Sequence, residues 1–106
     1  MSATVLTDKN VVARKDYVSV YRDNFDYLIA KDESGKTIVD LKEANIFGMT
    51  EEEIQTIQSA IDSNWLIKKG ELHHYQFGVY EGECYSARAP KGIHEICCKY
   101  KLFEEY

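Results

Sequence analysis

No run of apolar residues in this chain approaches the roughly eighteen needed to span a bilayer. The opening Met1–Asp8 stretch also lacks the apolar core of a secretory signal. A cytoplasmic location is therefore the expectation. Cysteine is sparse and odd in number, at Cys84, Cys97 and Cys98. A fully paired disulfide framework is disfavoured, a bridge between adjacent Cys97 and Cys98 is strained, and a reducing compartment is the simple reading. No Cys-x-x-Cys pair occurs, no serine stands in a Gly-x-Ser-x-Gly setting, and none of the six glycines builds a phosphate-cradling loop. Bases are the minority charge. Thirteen Lys and Arg against eighteen Asp and Glu give −5, which excludes a nucleic-acid binder driven by overall charge.

What remains is ordinary globular material. The 106 residues suit one domain. The apolar fraction of 44% and charged fraction of 29% are those of a folded chain rather than a disordered one. Eight tyrosines, four phenylalanines and Trp65 supply bulky core material. Charge is uneven along the chain: eleven of the eighteen acids but four of the thirteen bases fall between Asp16 and Asp62, so that span nets −7 and the rest +2.

Residues 1–9 are polar and aperiodic and read as a flexible lead-in to a single α+β domain over 10–106. Tyr17, Ser19 and Tyr21 alternate with Val18 and Val20, the period of a half-buried strand within Val11–Tyr21, and Arg22-Asp23-Asn24 ends it as a turn. Phe25–Lys31 and Lys36–Leu41 flank Asp32-Glu33-Ser34-Gly35 as a hairpin. The clearest local signal is the capping box Thr50…Glu53, with Met49 and Ile54 in staple positions and Glu51, Glu52 and Glu53 in the first turn. Ile54, Ile57, Ile61 and Trp65 form one stripe, and the spacing predicts a helix over about 51–64.

Short strands return after it. Lys69-Gly70 and Glu81-Gly82 are expected as hairpin loops, and Ala89-Pro90-Lys91-Gly92 as a type I turn. His94, Ile96, Cys98, Tyr100 and Leu102 alternate with Glu95, Cys97, Lys99, Lys101 and Phe103, which predicts a last strand over His94–Phe103. The expected architecture is an antiparallel sheet of about five to seven strands with one helix packed on it, in the order β-β-β-α-β-β-β with room for one more strand.

Several constellations could carry chemistry. His73, His74, Cys84, His94, Cys97 and Cys98 all fall in the last third, and His94-x-x-Cys97 has ligand-like spacing. In a strand, however, His94 faces away from Cys97, and the ordinary reading is a core Cys98 with histidines at the surface or in an interface. No metal and no cofactor is expected. Cys84 follows Glu81-Gly82-Glu83, an acidic setting that raises a thiol pKa and disfavours a nucleophile. No carboxylate pair sits in an apolar setting that would separate their pKa values for acid–base work, so no catalytic residue is assigned.

Two binding surfaces remain. Arg88, Lys91, Lys99, Lys101 and Phe103 gather near the C-terminal strands, a face that could hold nucleic acid or a small ligand. Asp23, Asp26, Asp32, Glu33, Asp40 and Glu43 form an acidic segment that could occupy the basic groove of a nucleic-acid-handling protein. Small size, acidity, tyrosine richness and the failure of every catalytic motif favour a non-enzymatic protein-binding domain. An acidic inhibitor or regulator of the toxin-immunity or phage counter-defence kind is the leading expectation, with the C-terminal face as the alternative. A homodimer formed by edge-strand pairing is a further expectation.

Overall fold

A computed structural model describes residues 4–102. Its strands are β1 (Thr4–Val12), β2 (Tyr17–Val18), β3 (Ile29–Lys31), β4 (Thr37–Val39), β5 (Leu66–Ile67), β6 (Leu72–Tyr80) and β7 (Glu83–Ala89). A 3-10 helix covers Val20–Leu28, and three α-helices follow: α1 (Leu41–Phe47), α2 (Glu51–Asp62) and α3 (Ile93–Lys99). The class is α+β with antiparallel pairing, as expected. The strands do not form one sheet, though. They make a three-stranded sheet in the order β1-β6-β7 and two small ladders, β2-β5 and β3-β4.

The helix over 51–64 is present as α2, with both halves of its capping box made: Glu53 N–H donates to Thr50 Oγ1 at 3.2 Å and Thr50 N–H to Glu53 Oε1 at 2.9 Å. The β3–β4 hairpin also stands where expected, its turn closed by Asp32, whose Oδ1 accepts from Ser34 N–H and Lys36 N–H. Glu81-Gly82 joins β6 to β7, both residues at positive φ (52° and 81°), the conformation of a two-residue hairpin whose twist matches its strands.

Other expectations are corrected. Thr4–Lys9, placed in a lead-in, pairs with β6 from Val79 to Tyr75. Val11–Tyr21 is not one strand: Ala13 is buried at a break, β2 is brief, and Ser19 then caps the 3-10 helix that replaces the Arg22-Asp23-Asn24 turn and takes Phe25–Leu28 out of β3. Lys69-Gly70 joins strands of different ladders, because β5 pairs with β2 and β6 with β1.

The largest correction is the C-terminal strand. Residues 93–99 are α3, and Phe103 lies outside the described residues. The alternation read there coexists with a helical spacing, Ile93, Ile96, Cys97 and Tyr100. The helical choice buries Ile93, Ile96 and Cys97 together.

The core lies between the 3-10 helix, α2, α3 and the end of β7, with Phe25, Leu28, Ile57, Ala89, Ile93 and Cys97 fully buried. Phe25 and Trp65 meet at 5.3 Å between ring centroids. The β1-β6-β7 sheet contributes little to this core. It is mostly half-buried or exposed, and β7 rests on the 3-10 helix.

Within the sheet, β1 carries an extra residue at Leu6, between the pairs Val5–Gly78 and Thr7–Phe77. The bulge brings β1 backbone over Gly78, where a Cβ would collide with the Thr4 carbonyl oxygen and stand 2.8 Å from Tyr85 Oη. Gly78→Ala is therefore expected to cost about 1–3 kcal/mol in urea denaturation. An unchanged midpoint would show that β1 does not hold this register.

Candidate functional site

The acidic segment from Asp23 to Glu43 is built on the 3-10 helix, the β3–β4 hairpin and the start of α1. Half of it has local work. Asp40 is the N-cap of α1, its carboxylate accepting from the Lys42 and Glu43 N–H groups, and Glu43 lies in that helix's first turn. Asp40 followed three residues later by Glu43 is a legible start signal for α1, one of the helices not expected from the sequence. Asp32 is held below the usual carboxylate range, first by the Ser34 hydroxyl and then by the Lys36 N–H. Asp23 pairs loosely with Arg22 at 3.7 Å. Asp23, Asp26 and Glu33 point to solvent.

Apolar side chains share this surface. Tyr27, Leu41 and Ile46 are 66%, 59% and 70% exposed, and they sit on the 3-10 helix and α1, which pack against each other.

The C-terminal basic face does not form as a sheet face. Arg88 lies on β7, Lys91 in the turn before α3, Lys99 at the end of α3 and Lys101 just beyond it. Lys99 is occupied: its Nζ donates to Glu53 Oε2 at 3.1 Å, while Tyr100 Oη donates to Glu53 Oε1 at 2.6 Å. These bonds clamp α3 onto the N-terminus of α2. Burial alone would raise the Glu53 carboxyl. The Thr50 N–H, the Tyr100 hydroxyl and Lys99 outweigh it and hold the group down to about 2.

Arg88 belongs to a different surface. Its guanidinium lies 4.0 Å from the Tyr17 ring centroid and 4.4 Å from that of Tyr75. Its Nη1 donates to His73 Nε2 at 2.7 Å. Because an arginine only donates, His73 Nε2 accepts and Nδ1 carries the proton, facing the Glu71 carbonyl at 3.3 Å. Arg88, Tyr17 and Tyr75 line a cleft of about 830 Å3 together with Lys9 and Arg14, and no acid lines it. The sequence listed Arg88 with the wrong neighbours. Lys9 and Arg14 reach it only through the β1–β6 pairing.

The histidines and cysteines also sort themselves. Cys97 is in the core, where burial pushes its thiol up to about 12. Cys98, expected inside, is exposed, and His73 and His74, expected at the surface or in an interface, are buried. On α3, His94 and Cys98 stand one turn apart, with Cys98 Sγ 3.5 Å from His94 Nε2. His94 Nδ1 lies 2.8 Å from the hydroxyl of buried Tyr21. Burial, and then the neighbouring His74, hold the His94 pKa below its ordinary value. Burial, followed by Asp8 and Glu95, pushes the Cys98 thiol up.

The His74 ring, on β6, stacks on His94 with centroids 3.9 Å apart and planes 9° from parallel. Asp8, two places along β1 from the residue opposite His74, brings Oδ1 to 2.5 Å from His74 Nε2. One ligand atom from each of Asp8, His74 and His94 falls within 4.8 Å of the others.

The Glu53 clamp has a checkable pH signature. A carboxyl held at about 2 against an ordinary 4.5 contributes stability above pH 4.5 and loses it as pH falls towards 2. Glu53→Gln is expected to lower stability at neutral pH by about 1–2 kcal/mol. In urea denaturation, its gap to the parent should close as pH drops through that window, and a gap constant down to pH 2 contradicts the clamp.

Among the described residues no helix is long and apolar enough to cross a membrane. No protein-family model, curated protein sequence or solved structure matches the chain, so a functional reading rests on this geometry.

Proposed function

We propose that this chain is a non-enzymatic protein-binding domain, an acidic inhibitor or regulator of another protein. The observation that carries the reading is the mixed surface of the 3-10 helix and α1. There Tyr27, Leu41 and Ile46 stand exposed among Asp23, Asp26, Asp40 and Glu43. Exposed apolar side chains ringed by charge mark recognition surfaces. A buried anchor with a charged rim is the usual division of labour in a protein interface. The matching partner is a protein with a basic surface around an apolar recess, such as a nucleic-acid-handling protein. In that contact the exposed carboxylates of Asp23, Asp26 and Glu33 raise the encounter rate, and Ile46 and Tyr27 supply the contact that sets dissociation.

The experiment is capture of the partner from source-cell lysate, followed by binding kinetics with purified components. Ile46→Asp is expected to weaken affinity ten-fold or more, equivalent to about 1.4 kcal/mol. The pair Asp23→Lys and Asp26→Lys is expected to slow association and flatten its salt dependence. Unchanged kinetics in both variants, with native circular dichroism, would falsify the reading. Self-association belongs to the same proposal, since β1 and β7 are the outer strands of their sheet.

The cleft beside Arg88 favours a second reading, binding of an anionic aromatic ligand such as a nucleotide or a short single strand. Cations from Lys9, Arg14 and Arg88 beside the Tyr17 and Tyr75 rings are the groups such ligands need. Salt-sensitive binding of a fluorescent oligonucleotide, reduced by Lys9→Ala and Arg14→Ala and indifferent to Lys99→Ala and Lys101→Ala, supports it. Absence of binding at low salt removes it.

A further inference from the structure

We propose that Asp8, His74, His94 and Cys98 form a binding site for one divalent transition-metal ion, with zinc the ion that best fits the donor set. The site is independent of the protein-binding surface, and its residues come from β1, β6 and α3.

Three observations carry it. First, the donors are two imidazoles, a carboxylate and a thiol, the nitrogen, oxygen and sulfur set that zinc accepts in tetrahedral sites. Asp8, His74 and His94 present ligand atoms within 4.8 Å of one another, and Cys98 stands beside that cluster, next to His94.

Second, the His94–Cys98 pair has the spacing of adjacent ligands. Metal–nitrogen and metal–sulfur bonds of about 2.0 and 2.3 Å at a tetrahedral angle place the two atoms about 3.5 Å apart. Cys98 Sγ and His94 Nε2 are 3.5 Å apart. That distance also suits an S–H···N hydrogen bond, so it does not decide the matter alone.

The third observation adds to these. His74 is 9% exposed, and its buried Nε2 makes no hydrogen bond. The Asp8 carboxylate oxygen stands 2.5 Å from it. Buried imidazole nitrogens are seldom left this way. A proton on Nε2 shared with Asp8, or a metal ion bound between the carboxylate and the two imidazoles, satisfies this nitrogen, and the titration below distinguishes them.

The surrounding groups suit ligation. A metal-bound imidazole commonly donates its other N–H to an oxygen, which fixes its tautomer. The Tyr21 hydroxyl, 2.8 Å from His94 Nδ1, can accept that proton and leave Nε2 to face Cys98. The stacked rings set one requirement. At 9° from parallel their in-plane lone pairs run side by side, so the half-buried His94 ring must turn partway out of the stack to converge with His74. Four protein donors fill a tetrahedron and leave no open position, which makes the ion a structural one. It would fasten α3 to the β1–β6 pair.

The test titrates the metal-free full chain with zinc chloride by calorimetry, and with cobalt(II) chloride by absorption spectroscopy. Asp8→Asn and Cys98→Ser alter exposed side chains and should leave the fold intact, while His74→Gln is checked by circular dichroism. The expected result is one zinc per chain, a thermal midpoint raised by several degrees, and a thiolate-to-cobalt absorption band. Asp8→Asn and His74→Gln should weaken binding about 100-fold, and Cys98→Ser should abolish the band. No stoichiometric zinc binding overturns the proposal. So does affinity unaltered in Asp8→Asn and Cys98→Ser, since the ion then sits elsewhere.

Discussion

Ser19 is the point on which the arrangement of this molecule depends. The residue is 1% exposed, and both its N–H and its hydroxyl are hydrogen-bonded. The N–H donates to the Trp65 carbonyl at 2.9 Å, the hydroxyl donates to the Arg88 carbonyl at 2.6 Å, and the hydroxyl oxygen accepts from Tyr21 N–H at 3.2 Å. A buried hydroxyl with partners is tolerated, and one without them costs about 1–3 kcal/mol. The three bonds join the segment after α2, the end of β7 and the start of the 3-10 helix at one residue. They also set the two neighbouring tyrosines. Tyr17, two residues before, lies against Arg88 and the cationic cleft, while Tyr21, two residues after, reaches His94. Both candidate ligand sites take one wall from this five-residue stretch.

The same stretch shows what the sequence could and could not convey. Tyr17, Ser19 and Tyr21 alternate as strand residues do, and the extended backbone at Ser19 (φ −69°, ψ 134°) agrees with that locally. What stops the strand is a hydrogen bond that the Ser19 side chain accepts from the backbone N–H two residues on. A serine in a strand and a serine capping a helix look alike until the partner is known. Signals whose meaning is contained within a few residues were read correctly: the Thr50–Glu53 capping box, the Asp32–Gly35 hairpin turn and the Glu81-Gly82 loop.

Residues 93–102 failed for a different reason. Their apolar positions satisfy a period of two and the helical spacing at once. Tertiary contact decides between them: the helical form buries Ile93, Ile96 and Cys97 on one side and places Lys99 and Tyr100 on Glu53. That choice also decides which cysteine is available. A strand would have put His94 and Cys98 on a shared face without fixing their spacing, whereas one helical turn brings their side chains within 3.5 Å. The site residues on β1 were beyond local reading altogether. Asp8 and Lys9 acquire their neighbours only by pairing with a strand more than sixty residues away.

The division of the molecule into a core and an outlying sheet gives these polar contacts their significance. Apolar burial is concentrated among the helices, and the β1-β6-β7 sheet meets them chiefly through β7. A three-stranded sheet with so little apolar backing needs other attachments to hold a fixed orientation. Among the described residues they include Ser19 on the Arg88 carbonyl, Arg88 between Tyr17 and Tyr75, and His74 stacked on His94. Such contacts are directional where burial is not, so they fix the angle of the sheet more than they add to its stability. The exposed Tyr27, Leu41 and Ile46 side chains take no part in these three contacts. The recognition surface proposed there would then change its side chains without disturbing the attachment of the sheet.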